Sequence, residues 1–174
     1  MKEDQGFAIS IGLVDGLITS LVITSGAIVG HSTIGFYQSL RIAFGSSFVG
    51  AISFFIAQFS KLSKDEYRIA RVLKPGSSSV KIHPSLTGKN FLDSIEGGSA
   101  SLIMGFLGAS IPLFSYSMLG ESAIVSLLCS YSSLGVFGIY TSKISGGKSS
   151  RWLISLILLG IIMTFLGYNL KIVS

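Results

Sequence analysis

Apolar residues in this chain run on for lengths that cross a bilayer, separated by short segments that hold nearly all the charge. A hydrocarbon core of about 30 Å needs about 20 helical residues. Five stretches meet that length: Phe7 to Gly30, Ile42 to Ser60, Gly97 to Gly120, Ser122 to Ser142 and Trp152 to Leu170. The first is interrupted only by Asp15, and the other four carry no charge. The predicted fold is therefore an all-α membrane protein of five transmembrane helices in a single domain. A cleaved signal peptide would account for the first span alone. Its Gly, Ser and Thr content and internal Asp15 are wrong for a signal core, so it reads as a retained helix.

Between the second and third spans lies a hydrophilic connector, residues 62–94. It opens with KLSKDEYRIARVLK, whose Leu62, Ile69 and Leu73 spacing extends the second helix beyond the membrane, and Pro75 and Gly76 end that extension. The serines at 77–79 and the His83-Pro84 pair read as a loop. No internal repeat is evident, and five spans cannot divide into two inverted halves within one chain.

Composition agrees with this pattern. Of 174 residues, 49% are hydrophobic and only 12% charged, against roughly 25% charged in a soluble domain. Mean hydropathy is +0.69. The net charge of +5 would suggest nucleic acid in a soluble protein, but here the basic residues are sorted by side. Lys2, Lys61, the connector and the Lys143–Arg151 segment carry eleven Lys and Arg, whereas Arg41 and Lys171 are the two on the other side. Cytoplasmic loops retain positive charge, so the N-terminus is expected inside and the C-terminus outside, with no nucleic-acid role. The connector's basic residues also suit anionic lipid headgroups.

Several motifs fail. SKISGGKS (Ser142 to Ser149) lacks the first glycine and the preceding strand of a phosphate-binding loop. His31 and His83 belong to no HExxH or cysteine-bearing set. There is no GxSxG, and the single Cys129 allows no intrachain disulfide. No enzyme is expected. Trp152 beside Arg151 reads as an interfacial anchor.

Asp15 stands out, because a carboxylate at bilayer depth costs at least about 2.5 kcal/mol unless it meets a cavity, a partner or a proton. Either it handles a cation or proton, or it merely hydrogen-bonds a neighbour. Gly12, Asp15, Gly16, Thr19 and Gly26 fall near one stripe of the first helix, where small residues admit another helix or an ion. In the third span Gly97, Ser101, Gly105 and Ala109 make a small-residue seam. One turn on, Pro112 frees the carbonyl of Gly108, which either finds a neighbour or lines a wet cavity.

These residues resemble the vacuolar iron/manganese transporter (VIT/CCC) family of five-helix membrane proteins. Gly12-Leu13-Val14-Asp15-Gly16-Leu17 with Ser25-Gly26 is similar to its first helix, and Gly50-Ala51-Ile52-Ser53 to its second. Gly105-Phe106-Leu107-Gly108-Ala109-Ser110-Ile111-Pro112-Leu113 is similar to F-x-x-G-A-x-x-P-L in the third, and Arg151, Gly160 and Gly167 fit the fifth. The resemblance implies a homodimer with a two-fold pathway at the subunit interface, exporting Fe²⁺ or Mn²⁺ from the cytosol in exchange for protons. It implies no permanently bound cofactor; the metal is cargo.

This chain departs from the family at the expected glutamate, where it has Ser46, and at the methionine, where it has Phe54. Ala57-Gln58-Phe59 replaces Gly-Glu-Tyr, and Asp65, Glu66, Asp93 and Glu96 are the carboxylates near the membrane. The implied metal path is then Asp15, Thr19, Ser46, Ser53, Gln58 and Glu96, an oxygen-rich set suited to a hard or borderline ion such as Mn²⁺. The alternative is a non-transporting scaffold that keeps the fold for partner binding. The short connector and lack of a targeting signal point to a prokaryotic plasma membrane rather than a vacuolar one.

Overall fold

The computed structural model describes residues 3–73, 84–118, 123–145 and 147–170. They form five helices: α1 Glu3–Val29, α2 Phe36–Leu73, α3 Pro84–Met118, α4 Ala123–Ser145 and α5 Ser149–Leu170. Each is long and apolar enough to cross a membrane. The chain is an all-helical integral membrane protein.

Two boundaries differ from the pattern of uncharged residues. Helix α2 starts at Phe36 rather than Ile42, with Arg41 inside it. The cause is a cap: Gly35 N–H donates to Gln38 Oε1 at 3.1 Å, and Ser39 N–H makes the first helical bond to Gly35 O at 2.9 Å. A Gln at the third helical position serving the capping residue is half of a capping box. Pro84, expected in a loop, instead opens α3, which begins well ahead of Gly97. Pro84 suits a first helical position, where its fixed φ is already helical and its missing N–H has no partner to lose. The serines at 77–79 and His83 lie outside the described residues.

The second half of α2 and the start of α3 pair along their length. Asn90 Nδ2 donates to Glu66 Oε2 at 2.8 Å, and Phe91 sets its ring edge-on to Phe55 and Phe59.

Burial is inverted relative to a soluble bundle. Ser20, Thr24, Ser39, Ser47, Ser126 and Ser130 are buried, while Phe44, Phe48, Val49, Ile52, Ile154, Ile161 and Phe165 face outward. Small side chains allow helices to approach, and the outward apolar groups meet lipid. In a dry interior several of the hydroxyls turn to their own helix: Thr24 donates to Ser20 O at 2.7 Å, and Ser130 to Ser126 O at 2.8 Å. Pro112 is fully buried, and its carbonyl accepts from Ser126 at 3.2 Å, tying α3 to α4.

Helix α1 is the hub, touching all four others. Against α3 it is closed by glycine. A methyl on Gly12 would lie 2.8 Å from Ser101 Cα, and one on Gly16 2.9 Å from Ala109 N. On α3, Gly108 likewise sits against Leu17 N, 3.2 Å from where its Cβ would be. Of the small-residue seam of the third span, Ser101, Gly105 and Ala109 therefore form the surface on which α1 lies, whereas Gly97 faces Phe54 and Gln58 of α2.

The far end of α1 closes with paired bonds of the Schellman type: Ser32 N–H to Ala27 O at 3.1 Å and His31 N–H to Ile28 O at 3.4 Å. His31 takes the left-handed conformation this needs, with φ 50°. Tyr116 of α3 anchors the turn by donating its hydroxyl to Ser32 O at 2.9 Å.

Candidate functional site

Among the described residues α2 makes no contact with α4 or α5, although both pairs flank α1. One face of α1 is thus left uncovered. It carries Phe7, Ile11, Asp15 and Ile18, residues that recur every three or four positions and so share a side of the helix. Here α1, α4 and α5 line an open cavity of about 370 Å³. It runs from Phe7 to Ile18, about 16 Å along the helix at 1.5 Å per residue.

Asp15 lies midway along α1, about 18 Å from its start. The residue is exposed on the protein's flank and borders the cavity, while its carboxylate lies against Gly50 of α2. A methyl on Gly50 would meet Asp15 Oδ2 at 2.5 Å, so glycine at that position is what gives the carboxylate room. The stripe read from the sequence divides here. Gly12 and Gly16 are spent on the α3 seam, and Asp15 points away from it.

Thr141 of α4 lines the same cavity. The residue is buried, 8% exposed, and its Oγ1 has no hydrogen-bond partner among the described residues. That sets it apart from Ser130 of the same helix, whose hydroxyl turns back to the carbonyl one turn earlier. A buried hydroxyl without a partner costs about 1–3 kcal/mol. Nothing in the periodicity marks Thr141, and its significance exists only once α4 is laid beside α1.

The remaining residues of the expected metal path occupy two levels. Thr19 is one turn beyond Asp15 and half-buried. Ser46, one turn from Gly50, is half-buried and donates to Ala43 O at 3.1 Å. Ser53 faces outward from α2. Gln58 is about 12 Å further along α2 from Gly50, with its amide oxygen packed against Gly97 and without a hydrogen-bond partner among the described residues. Glu96, next to Gly97, is exposed and accepts a hydrogen bond from Gln5 of α1. Asp15, Thr19 and Ser46 thus lie near the middle of the first and second spans, and Gln5, Gln58 and Glu96 lie towards the end of the bundle where α1 begins.

Among the described residues no three of His, Cys, Asp and Glu gather as a metal-holding group. One chain supplies Asp15 and neutral oxygens, so a divalent ion there needs donors from elsewhere. Phe54 is buried, 7% exposed, with its ring 6.3 Å from that of Phe7.

Compared with known proteins, the chain matches no family model and no curated relative, so the likeness to the VIT/CCC transporters rests on the helix motifs.

Proposed function

We propose that this chain is a VIT-type membrane transporter that exports a divalent cation, Fe²⁺ or Mn²⁺, from the cytosol in exchange for protons, working as a two-fold dimer. The observation that carries the reading is the carboxylate of Asp15, at mid-membrane on an outward flank instead of inside its own bundle. Charge at that depth demands a counter-charge, a proton or another protein surface. A second copy across a two-fold axis would bring a second Asp15 and replace lipid with oxygen donors from Thr19 and Ser46. Two carboxylates balance one dication. Protons arriving from the far side would displace the ion, and their departure would restore the site.

The sorting of Lys and Arg supports α1 starting in the cytosol. On that orientation Gln5, Gln58 and Glu96 form the entry station, and the carboxylate of Glu96 would draw a cation towards Asp15.

The test is uptake of Fe²⁺ and Mn²⁺ into proteoliposomes under an imposed pH gradient. Wild type is expected to accumulate metal with proton counterflow, and Asp15→Asn to lose at least about tenfold of the flux, the order expected when a buried charge loses its partner. Equal flux from both proteins would overturn the proposal.

Phe54 favours a second reading, a scaffold that has kept the fold and lost transport, because a buried phenylalanine offers a metal no donor atom. Dimers that persist in detergent without any stabilisation by Mn²⁺ in a thermal-shift series would support it.

A further inference from the structure

The open flank beside α1 presents hydrocarbon almost throughout, since the Asp15 carboxylate lies against Gly50 of α2 and Thr141 is buried. What suits it is shown by its mouth. Phe7, Thr141 and Trp152 line the flank near the ends of α1, α4 and α5 that meet at the α4–α5 turn, so the groove begins there. It runs on to Ile18, and its length of about 16 Å matches half of a hydrocarbon core of about 30 Å. A chain from one leaflet has that reach.

The turn at the mouth is short and tied together. Gly147 N–H donates to Ser142 O at 3.2 Å, the hydroxyls of Ser142 and Ser149 share a hydrogen bond at 2.7 Å, and a methyl on Gly147 would lie 2.8 Å from Trp152 Nε1. The turn is therefore laid against the indole that lines the groove. Lys148 and Arg151 are exposed on it, and among the described residues neither has an ion-pair partner. The Lys148 carbonyl accepts from Trp152 N–H at 3.4 Å, which puts Lys148 one turn before the indole and on its side of the helix. Glu96 belongs elsewhere: it is bound by Gln5, two positions from Phe7 and so on the other side of α1. Taking Lys2, Glu3 and Asp4 at the start of the chain together with Lys143, Lys148 and Arg151, this end keeps a net positive charge.

We propose that the α1–α4–α5 groove seats an acyl chain of an anionic phospholipid, drawn from the leaflet on the side of the α4–α5 turn, with the lipid phosphate held by Lys148 and Arg151. The apolar wall receives the chain, and the unpaired cations receive the headgroup. A zwitterionic lipid brings its own cation to the same place, so it gains less from the turn. The metal reading uses the α2 side of Asp15, and this site does not rest on it.

Trp152 is the chain's single tryptophan and lines the groove, so its emission reports what lies there. The full chain is placed in phosphatidylcholine nanodiscs doped either with phosphatidylglycerol or with phosphatidylcholine, each brominated on its acyl chains, because bromine quenches an indole on contact. Wild type should be half-quenched at a mole fraction of the anionic lipid at least about fivefold below that of the zwitterionic one, the ratio expected from one basic residue near the surface. Lys148→Gln combined with Arg151→Gln should bring the two lipids within about twofold of each other. Ile11→Phe with Val14→Phe narrows the groove and should raise the half-quenching fraction of both lipids about fourfold, the worth of one buried CH₂.

Equal quenching by the two lipids, or an anionic preference that survives the Gln pair, would overturn the proposal and leave ordinary boundary lipid. Quenching by neither would overturn it as well, since the flank would then be closed by a second copy. Quenching indifferent to the Phe pair would remove the chain from the groove. Should the Gln pair fail to insert, a salt series on wild type answers the same question: the anionic preference must shrink as ionic strength rises, and one that does not change counts against the proposal.

Discussion

Helix α1 has two contrasting faces. Towards α3 it is closed down to backbone contact, with Gly12 and Gly16 lying on Ser101, Gly105 and Ala109. Towards the gap between α2 and the α4–α5 pair it is open, carrying an exposed carboxylate and the wall of a cavity. The two faces are about a quarter-turn apart at Asp15 and Gly16, since successive residues of a helix are separated by about 100°. Small residues serve opposite purposes on the two sides. In the seam glycine removes space between helices, whereas Gly50 leaves space for a charged side chain.

The comparison breaks most sharply at Gly16. Replacing it with Val forces a branched side chain into the backbone of Gly105 and Ala109, and the bundle should lose about 3 kcal/mol or more, seen as loss of monodisperse protein and a lower unfolding temperature. A variant as stable as wild type would mean that the seam is not closed.

On the opposite face Asp15→Leu should act in the reverse direction. It removes a membrane-depth charge whose insertion costs at least about 2.5 kcal/mol, so thermal stability should rise by up to about 2 kcal/mol while function is lost. A fall comparable to that of Gly16→Val would erase the distinction between the faces.

His31 at the tip of α1 belongs to neither face and calibrates the scale. Glycine there removes the left-handed strain of a side-chain-bearing residue, and His31→Gly should stabilise by about 1 kcal/mol in the same melting assay. The smallest change is expected at Gly50. Since a methyl there meets the movable end of the Asp15 side chain, Gly50→Ala should alter stability by under about 0.5 kcal/mol, yet shift the carboxylate and change cation binding. A stability loss as large as that at Gly16 would show that α1 and α2 are packed as tightly as α1 and α3.

How much of this was legible in the sequence depended on whether the signal was local. Five spans were legible because uncharged apolar runs of bilayer length are the direct mark of a helix surrounded by lipid. The third-span seam was legible because Gly97, Ser101, Gly105 and Ala109 recur at one-turn spacing. Helix starts at Phe36 and Pro84 were less so, since they depend on the Gln38 cap and on a proline tolerated at a first turn. Asp15 drew attention as the one charge inside a span, but its direction did not follow from its neighbours. Gly12 and Gly16 share its stripe and turn to a different helix. Thr141 had no local signal, because its meaning is the lack of a bond on a helix brought beside α1 by the fold.

The hub position of α1 has a consequence for biogenesis. Helix α1 is translated before α3, with all of α2 between them, so its glycine surface emerges well before the partner it is shaped for. Until Met118 has been made, the early chain must hold an acidic residue and two bare glycines in the insertion machinery or against lipid. Docking α1 onto α3 is therefore a late, non-sequential event, and truncation before the end of α3 should leave a species prone to degradation rather than a smaller stable unit.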